Sequence, residues 1–512
     1  MTDPVDLLLT NAEVHTLSRP DETYEAVAVR DGRIVRVGDA YELDFLAGVD
    51  TRTVDCDGRV VLPGFVDAHT HLASYGRNLV HVDLSAAENR ADALDALRDR
   101  ADAVEAGAPV LGFGYDEHAW GDTAYLSREE LDAVDAAGPV VAVREDRHVV
   151  SLSSAALARF GDDLPEAGIR RDADGDPTGV IVEAAVTALL DILSPDPGTM
   201  ADLLRAAQTH ANAHGITTVH DMIRRSHAPS VYRDLDRDGD LTLRVRLNYW
   251  ADHLNALVET GLRTNHGGDR VRVGAIKTFT DGSLGGRTAK LSEPYADAPD
   301  ERGEWAVPPA EFRDLLDSAA SAGFQVAAHA IGDRAVDEVV DAFGDVGSPG
   351  TARHRIEHAE LADDAAIDRM ADCGIVASVQ PNFHRWAGEA GLYADRLGDR
   401  RTETNRLRRL VDAGVHLAFG SDGMPLDPLF GVQHAVNAPT AEQGLGVTEA
   451  LRAYTLGSAY AGFDEDRLGT VESGKCADLV VLDESPWEQP AAIDEIDVAL
   501  TVVGGDVVYD GR

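Results

Sequence analysis

Two histidines close an apolar run near the start of the chain. His69 and His71 flank Thr70 at the end of the segment Leu62–Leu72. If that segment is a β-strand, alternate residues point to the same side, so both imidazoles face one way. Two converging imidazoles suit a divalent metal ion, whereas a core would have to satisfy four ring nitrogens. On spacing alone, a pair of metal ligands and two ordinary histidines are equal alternatives.

Other strand-like segments also end in ionisable residues, namely Lys277, His329, His358 and Asp422. Burying a charged residue at the end of an apolar run costs free energy unless the residue has a partner. Each alone has an ordinary explanation, such as a hydrogen-bonded histidine, a half-exposed lysine or a helix cap. With the first pair they form a set that we call the six strand-end residues. The set is sufficient for two metal ions if Lys277 becomes a carbamate, which burial favours by lowering the pKa of the amine.

The segments that carry these residues belong to a series of eight, with amphipathic helical segments between them. They cover residues 62–72, 215–220, 243–249, 273–279, 324–329, 354–358, 375–380 and 416–422. Eight βα units are typical of a TIM barrel, which places its chemistry at the carboxyl ends of the strands. A doubly wound open sheet is the alternative.

The two ends of the chain are rich in short β-segments. Asp31-Gly32 and Gly504-Gly505 are two-residue turns that predict hairpins. We predict one β-sandwich domain from residues 1–61 and 466–512, with residues 62–465 as the barrel. Two independent hairpins are the alternative. Residues 74–200 exceed what one connection needs, so they predict an inserted subdomain that lies beside the first barrel strand and covers the site.

Composition limits the classes of partner. The chain of 512 residues has 46 basic and 90 acidic side chains and a net charge of −44. This argues against nucleic acid and against an anionic membrane surface. A hydrophobic content of 44% excludes a disordered acidic chain. The acidic residues therefore predict a surface coat, as in a halophile with a salt-rich cytoplasm, with an acidic protein from an ordinary cell as the alternative.

Three dispersed cysteines indicate neither a disulfide framework nor a thiolate zinc site. The amino terminus lacks the features of a signal peptide, and no apolar run reaches membrane-spanning length. We therefore expect a cytoplasmic protein.

Longer motifs surround the six strand-end residues. They are Leu62–His71, Lys277–Ala289, His329–Ala335, Arg355–Ala359, Gly420–Asp422 and Gly469–Leu482. On these motifs the chain resembles the amidohydrolase superfamily over nearly its whole length. Within it, the chain is similar to the branch of N-substituted formamide deformylase-like and exoenzyme-regulatory-type metal hydrolases. The implied fold class is α/β, a distorted TIM (β/α)8 barrel with a small β-sandwich from both termini and an insertion after barrel strand 1.

The resemblance also implies two divalent metal ions, most commonly zinc, bridged by carbamylated Lys277. One ion is expected on His69 and His71 and the other on His329 and His358. Asp422 would bind one ion and carry a proton.

The resemblance implies hydrolysis of a carbon–nitrogen bond in a small amide, N-formyl or N-acyl substrate. A metal-activated hydroxide would attack the carbonyl, and Asp422 would pass its proton to the departing amine. Opening of a cyclic amide and deamination are alternatives on the same centre, and a metal-free binding scaffold is the alternative outside catalysis. A homodimer is one assembly that we consider.

Weaker candidates for site residues lie outside the six strand-end residues. By resemblance, Asp116, Trp120, His148 and Glu183 in the insertion would approach the substrate. For Trp120 a place in the subdomain core is an equal alternative, and for Glu183 a surface salt bridge. Asp333 either orients His329 or caps the helix that follows.

Overall fold

A computed structural model describes residues 4–117, 120, 124–145, 148–346 and 349–512. It divides into two compact units, the first formed by Met1–Leu72 and Gln208–Arg512 and the second by Ala73–Ala207. Among the described helices, none is long and apolar enough to cross a membrane.

Eight parallel strands of the first unit follow one another in chain order around a barrel. They are β1 (Phe65–Thr70), β2 (Ile216–Ile223), β3 (Arg244–Trp250), β4 (Val271–Phe279), β5 (Val326–Ala330), β6 (Arg355–His358), β7 (Val376–Val379) and β8 (His416–Phe419). Most of their residues are buried, as expected for strands covered on both faces. All eight predicted strands are present, and the predicted fold class is confirmed.

The barrel closes where the end of β8 meets β1. The backbone N–H of Asp422 donates to the carbonyl of His69 at 2.8 Å. The backbone N–H of Ser421 donates to both carboxylate oxygens of Asp67, at 3.1 and 3.2 Å. Gly420 fits here because a Cβ atom would lie only 2.4 Å from the backbone nitrogen of His69. The ends of β8 and β1, which carry Asp422 and His69, are therefore held in fixed register.

Helices connect and cover the strands. In the first unit they are Ala40–Asp44, Pro197–Ala213, Ala228–Asp238, Leu254–Glu259, Pro309–Ser321, Asp333–Asp345, Pro349–Ala352, Asp364–Cys373, Leu392–Leu397, Leu407–Asp412, Pro428–Val436, Val447–Arg452 and Ser458–Ala461, of which the second begins in the other unit. Local chemistry sets their ends. Asp363, for example, accepts from the backbone N–H of Ala366 at 2.7 Å, and Gly374 ends the same helix with a φ of 65°.

The two ends of the chain build one β-sandwich. One sheet contains Leu7–Thr10, Ala26–Arg30, Arg33–Gly38 and Arg52–Asp55, and the other contains Glu13–His15, Thr23–Tyr24, Val60–Pro63, Leu479–Leu482, Val498–Val503 and Asp506–Asp510. Val60–Pro63 pairs antiparallel with Leu479–Leu482, so strands from both ends share a sheet. Leu9, Val61 and Leu500 belong to the same buried core.

The second unit has a sheet of its own. Its strands are Val82–Asp83, Val110–Tyr115, Val140–Arg144, Val149–Leu152, Ile169–Arg171 and Pro177–Val182, and its helices are Leu72–Val80, Arg90–Ala103, Arg128–Asp132, Ser154–Phe160 and Ala184–Ile192. Two buried clusters pack against this sheet, one including Val141 and Ile181 and the other Leu97 and Val140. The predicted insertion, residues 74–200, falls within this unit.

Candidate metal centre

All six strand-end residues line one cavity of about 300 Å³. The barrel brings them together because parallel strands present their carboxyl ends at the same rim. They lie in or directly after five strands of the barrel: His69 and His71 at β1, Lys277 at β4, His329 at β5, His358 at β6, and Asp422 beyond β8.

Three of these residues bring atoms that can ligate a metal close together. The donor atoms of His69, His358 and Asp422 all lie within 4.8 Å of one another. One carboxylate oxygen of Asp422 lies 3.7 Å from Nε2 of His69 and 3.5 Å from Nε2 of His71. The His329 and His358 rings have their centroids 4.5 Å apart. The donors therefore form one continuous cluster.

Hydrogen bonds leave the other nitrogen of these rings available. Nδ1 of His69 donates to Glu357 at 2.6 Å, so its Nε2 keeps a lone pair on the side of Asp422. Nε2 of His329 donates to the carbonyl of Gly282 at 3.0 Å, which leaves Nδ1 as the acceptor. Nδ1 of His358 is buried and has no hydrogen-bond partner among the described residues. Buried lone pairs of this kind fit a bound metal ion.

Burial keeps these groups in the protonation states that a metal needs. It lowers the pKa of His329 to about 3, with Lys277 adding to the shift, and it lowers the pKa of His358 well below its usual range. Both rings are thus neutral ligands at neutral pH. Burial also lowers the pKa of Lys277 to about 8, so part of the amine is unprotonated near neutral pH.

The backbone is strained at two of the ligands. His358 has a φ of 74° and Asp422 a φ of 56°, both in the left-handed region that non-glycine residues seldom adopt. Such conformations cost about 1–3 kcal/mol each and persist where the surroundings hold them. Here they turn the chain at the strand ends so that both side chains reach the cluster.

A buried ionic network beneath His69 was not predicted from the sequence. Arg355 donates to Glu357, to Nδ1 of His220 at 3.0 Å and to Oγ of Ser378 at 2.7 Å. Glu357 in turn accepts from His69. One signal was present in the sequence, because Arg355 and Glu357 place two charges on one side of a four-residue buried strand.

The cavity wall also contains residues that the sequence did not indicate. Phe383 and Trp386 lie on a short 3-10 helix, Pro381–Trp386, and Tyr393 lies on the helix Leu392–Leu397. The Tyr393 hydroxyl donates to the carboxylate of Glu360 at 2.5 Å. Burial raises the pKa of Glu360 to about 7.

The four weaker candidates lie in the second unit and have local partners. Asp116 pairs with Arg144 at 3.3 Å, and His148 lies 3.2 Å from Glu183. The indole N–H of Trp120 donates to the Ala87 carbonyl at 2.9 Å. Their role toward a substrate stays a prediction.

Asp333 contacts a different residue from the one considered in the sequence. It is the first residue of its helix, and its carboxylate accepts from the backbone N–H of Ser292 at 2.9 Å. The carboxylate nearest His329 is instead that of Asp281, 3.7 Å from Nε2. Asp281 is buried and also accepts from the backbone N–H groups of Ile331 and Gly332.

Comparisons with known proteins agree with this geometry. The amidohydrolase family profile matches residues 52–509. The YtcJ protein of Bacillus subtilis strain 168, named as an amidohydrolase, is 32% identical over 97% of this chain and 98% of its own length. The N-substituted formamide deformylase of Arthrobacter pascens is 28% identical over 100% of this chain and 99% of its own.

A solved structure shows the same fold. The crystal structure of an uncharacterized metal-dependent hydrolase from Pyrococcus furiosus superposes with a TM-score of 0.80 at 29% identity, covering 94% of this chain and 99% of that one. The chain therefore belongs to the amidohydrolase family and is an enzyme that acts on carbon–nitrogen bonds.

Proposed function

We propose that this protein hydrolyses the amide, N-formyl or N-acyl bond of a small molecule at the six strand-end residues, with Asp422 moving the proton. The observation that carries this proposal is the cluster of His69, His358 and Asp422 donor atoms within 4.8 Å of one another, in a cavity at the carboxyl ends of the strands. The similarity to an N-substituted formamide deformylase supports the choice of bond.

The donor set fits two divalent ions, for which we propose zinc. His69, His71 and Asp422 would hold one ion, and His329 and His358 the other. Lys277 would bridge them as a carbamate, which its lowered pKa favours. When bound, such ions polarise a carbonyl oxygen and make water acidic near neutral pH. The buried Nδ1 of His358 has no hydrogen-bond partner among the described residues, which favours a bound metal ion over a metal-free scaffold.

The chain's own residues would hold the reacting groups and move the proton. The Asp422 carboxylate takes a proton from the attacking water and returns it to the departing amine nitrogen, which leaves only when protonated. Its position is fixed by the backbone hydrogen bond to His69 and by its left-handed φ. Glu357 keeps His69 in one tautomer, and Phe383, Trp386 and Tyr393 form an aromatic part of the cavity wall.

The proposal is tested by metal content and activity together. Protein reconstituted with zinc and bicarbonate is analysed for elements and assayed on N-substituted formamides and N-acyl amines. We expect two ions per chain and hydrolysis of at least one of these classes. Fewer than one ion per chain would overturn the binuclear centre, and a loaded protein that leaves every substrate intact would overturn the reaction.

Replacing Asp422 separates metal binding from proton transfer. We expect Asp422→Asn to keep metal, since the amide oxygen still ligates, and to lose about 10²–10⁴ in kcat because the amide cannot carry a proton. Asp412→Asn, on the surface, is the matched control. Unchanged turnover in Asp422→Asn would end the proton-transfer role.

A further inference from the structure

The cavity contains a carboxylate that the proposed reaction does not use. Glu360 follows β6, is only 2% exposed and lines the cavity. Among the described residues, the one hydrogen bond to its carboxylate comes from the Tyr393 hydroxyl, at 2.5 Å. A carboxylate has about four acceptor positions, so most of them stay available on the cavity side.

None of the described residues that line the cavity forms an ion pair with this carboxylate. Among the described lining residues, Lys277 is the one cation, and it belongs to the metal cluster on β4. Glu360 forms no ion pair with any described residue. Because the single Tyr393 hydroxyl offsets only part of the cost of burying a carboxylate, this site favours a ligand that brings further donors and a positive charge.

The wall between the metal cluster and Glu360 is aromatic. The Phe383 ring lies parallel to the His358 ring, with the two centroids 6.1 Å apart. The centroid of the Trp386 ring lies 4.7 Å from that of Phe383. Tyr393 continues the row, 5.9 Å from Trp386. The row thus leads from a metal-site histidine to the residue that holds Glu360. Aromatic faces beside a carboxylate form a common environment for an ammonium group.

We propose that Glu360 and Tyr393 bind a positively charged amine, so that the preferred substrates are small amides that carry a second, basic nitrogen. The Tyr393 hydroxyl fixes one carboxylate oxygen, and the ammonium group binds the other while its carbon chain lies along Phe383 and Trp386. This assignment of substrate class rests on the proposed hydrolysis. It adds a determinant of specificity to the site rather than a step to the reaction.

The test compares three formamides of equal chain length. They are N-formyl-1,4-diaminobutane, N-formylpentylamine and N-formyl-4-aminobutanol, which end in an ammonium, a methyl and a hydroxyl group. We expect kcat/KM to be at least about tenfold higher for the ammonium compound than for either neutral one. An equal rate for the hydroxyl compound, or no preference at all, would overturn the proposal.

Variants identify the group responsible. Glu360→Gln keeps the shape of the side chain, and we expect the ammonium preference to fall to about unity, whereas Glu360→Asp restores part of it. Glu338→Gln is the matched control, because Glu338 is half-buried, pairs with Arg313 and does not line the cavity, and it is expected to keep the full preference. A Glu360→Gln enzyme that keeps the preference would overturn the assignment even if its overall rate fell.

A binding measurement separates this proposal from the proposed reaction. Titration calorimetry of the metal-loaded protein with pentylammonium and with 1-pentanol requires no turnover. We expect pentylammonium to bind at least about tenfold more tightly, and Glu360→Gln to abolish the difference. If this holds while no formamide is hydrolysed, the recognition site stands and the reaction fails. If formamides are hydrolysed without any ammonium preference, the proposed reaction stands and the recognition site is overturned.

Discussion

Ring tautomers at the metal centre are fixed by partners that lie away from the cavity. Glu357 accepts from Nδ1 of His69, and Arg355 holds Glu357 from the opposite side. A carboxylate behind a metal-bound imidazole both orients the ring and increases its basicity. If His69 holds a metal ion as proposed, the buried charges of β6 act on its binding through a residue of β1.

Replacing Glu357 tests this arrangement. We expect Glu357→Gln to weaken zinc binding by about 10–100-fold, because the amide is a poorer acceptor for His69 and leaves Arg355 without its charge partner. Competition with a chelator measures the affinity, and thermal unfolding of the metal-free protein measures the separate loss of stability. Glu338→Gln is the control, and an unchanged zinc affinity in Glu357→Gln would contradict the role.

The six strand-end residues were accessible to sequence analysis because each ends a recognisable apolar run. The residues around them were not. Glu357 and Arg355 lie on one strand, His220 on a second and His69 on a third. The contact of Arg355 with His220 and that of Glu357 with His69 exist only once the barrel closes. Contacts between side chains of different strands leave no periodic pattern in the sequence.

The junction between β8 and β1 brings two of the six strand-end residues close together. His69 and Asp422 are joined there by a backbone hydrogen bond, and Gly420 allows the close approach. Because both residues belong to the metal cluster, any separation of the two strands would alter the ligand spacing.

Gly420→Ala tests the junction. A Cβ atom 2.4 Å from the His69 nitrogen must push β8 away from β1. We expect a loss of about 1–3 kcal/mol in the free energy of unfolding and fewer zinc ions per chain. Gly268→Ala, where a Cβ atom meets nothing within 4 Å, is the control. If Gly420→Ala binds zinc as the parent does, the junction does not set the ligand spacing.

Secondary structure was predictable to different degrees. Apolar runs and two-residue turns located all eight barrel strands and the hairpin at Asp31-Gly32, whose φ values of 50° and 72° suit that turn. The cavity wall on Pro381–Trp386 was not predicted, because a short 3-10 segment has no periodic pattern. Asp281 was not predicted as the carboxylate beside His329, since the path of the loop after β4 decides which acidic residue lies there.

The net charge of −44 acts on the molecule as a whole. Like charges repel each other in the compact state, and salt shortens the Debye length from about 10 Å at 0.1 M to about 3 Å at 1 M. We therefore expect the urea midpoint of unfolding and the activity to rise as KCl increases over that range. Sucrose is the control for effects of hydration. Full folding and activity at low salt would count against an origin in a salt-rich cytoplasm.

Acid is expected to destabilise the fold through buried histidines away from the metal cluster. Nδ1 of His354 accepts from the backbone N–H of Val326 at 3.0 Å, and burial lowers its pKa to about 4. Since the unfolded value is about 6.5, protonation favours unfolding, so stability is complete above that pH and falls as the pH approaches 4.

We expect the titration of His354 to lower the free energy of unfolding by about 2 kcal/mol at about pH 4.5. His354→Gln does not titrate and keeps an acceptor for Val326, so its free energy of unfolding should fall less between about pH 7 and about pH 4.5. Urea unfolding at both pH values measures the difference. Parallel pH dependence in the two proteins would exclude His354 as a source of acid sensitivity.

The shared sheet of the β-sandwich has a consequence for how the protein is made. Val60–Pro63 pairs with Leu479–Leu482, which leaves the ribosome about 400 residues later. At about 5–20 residues per second, the early strand waits on the order of half a minute for its neighbour. During that time its apolar edge is open to other nascent chains, so translation is the period when aggregation threatens this protein most.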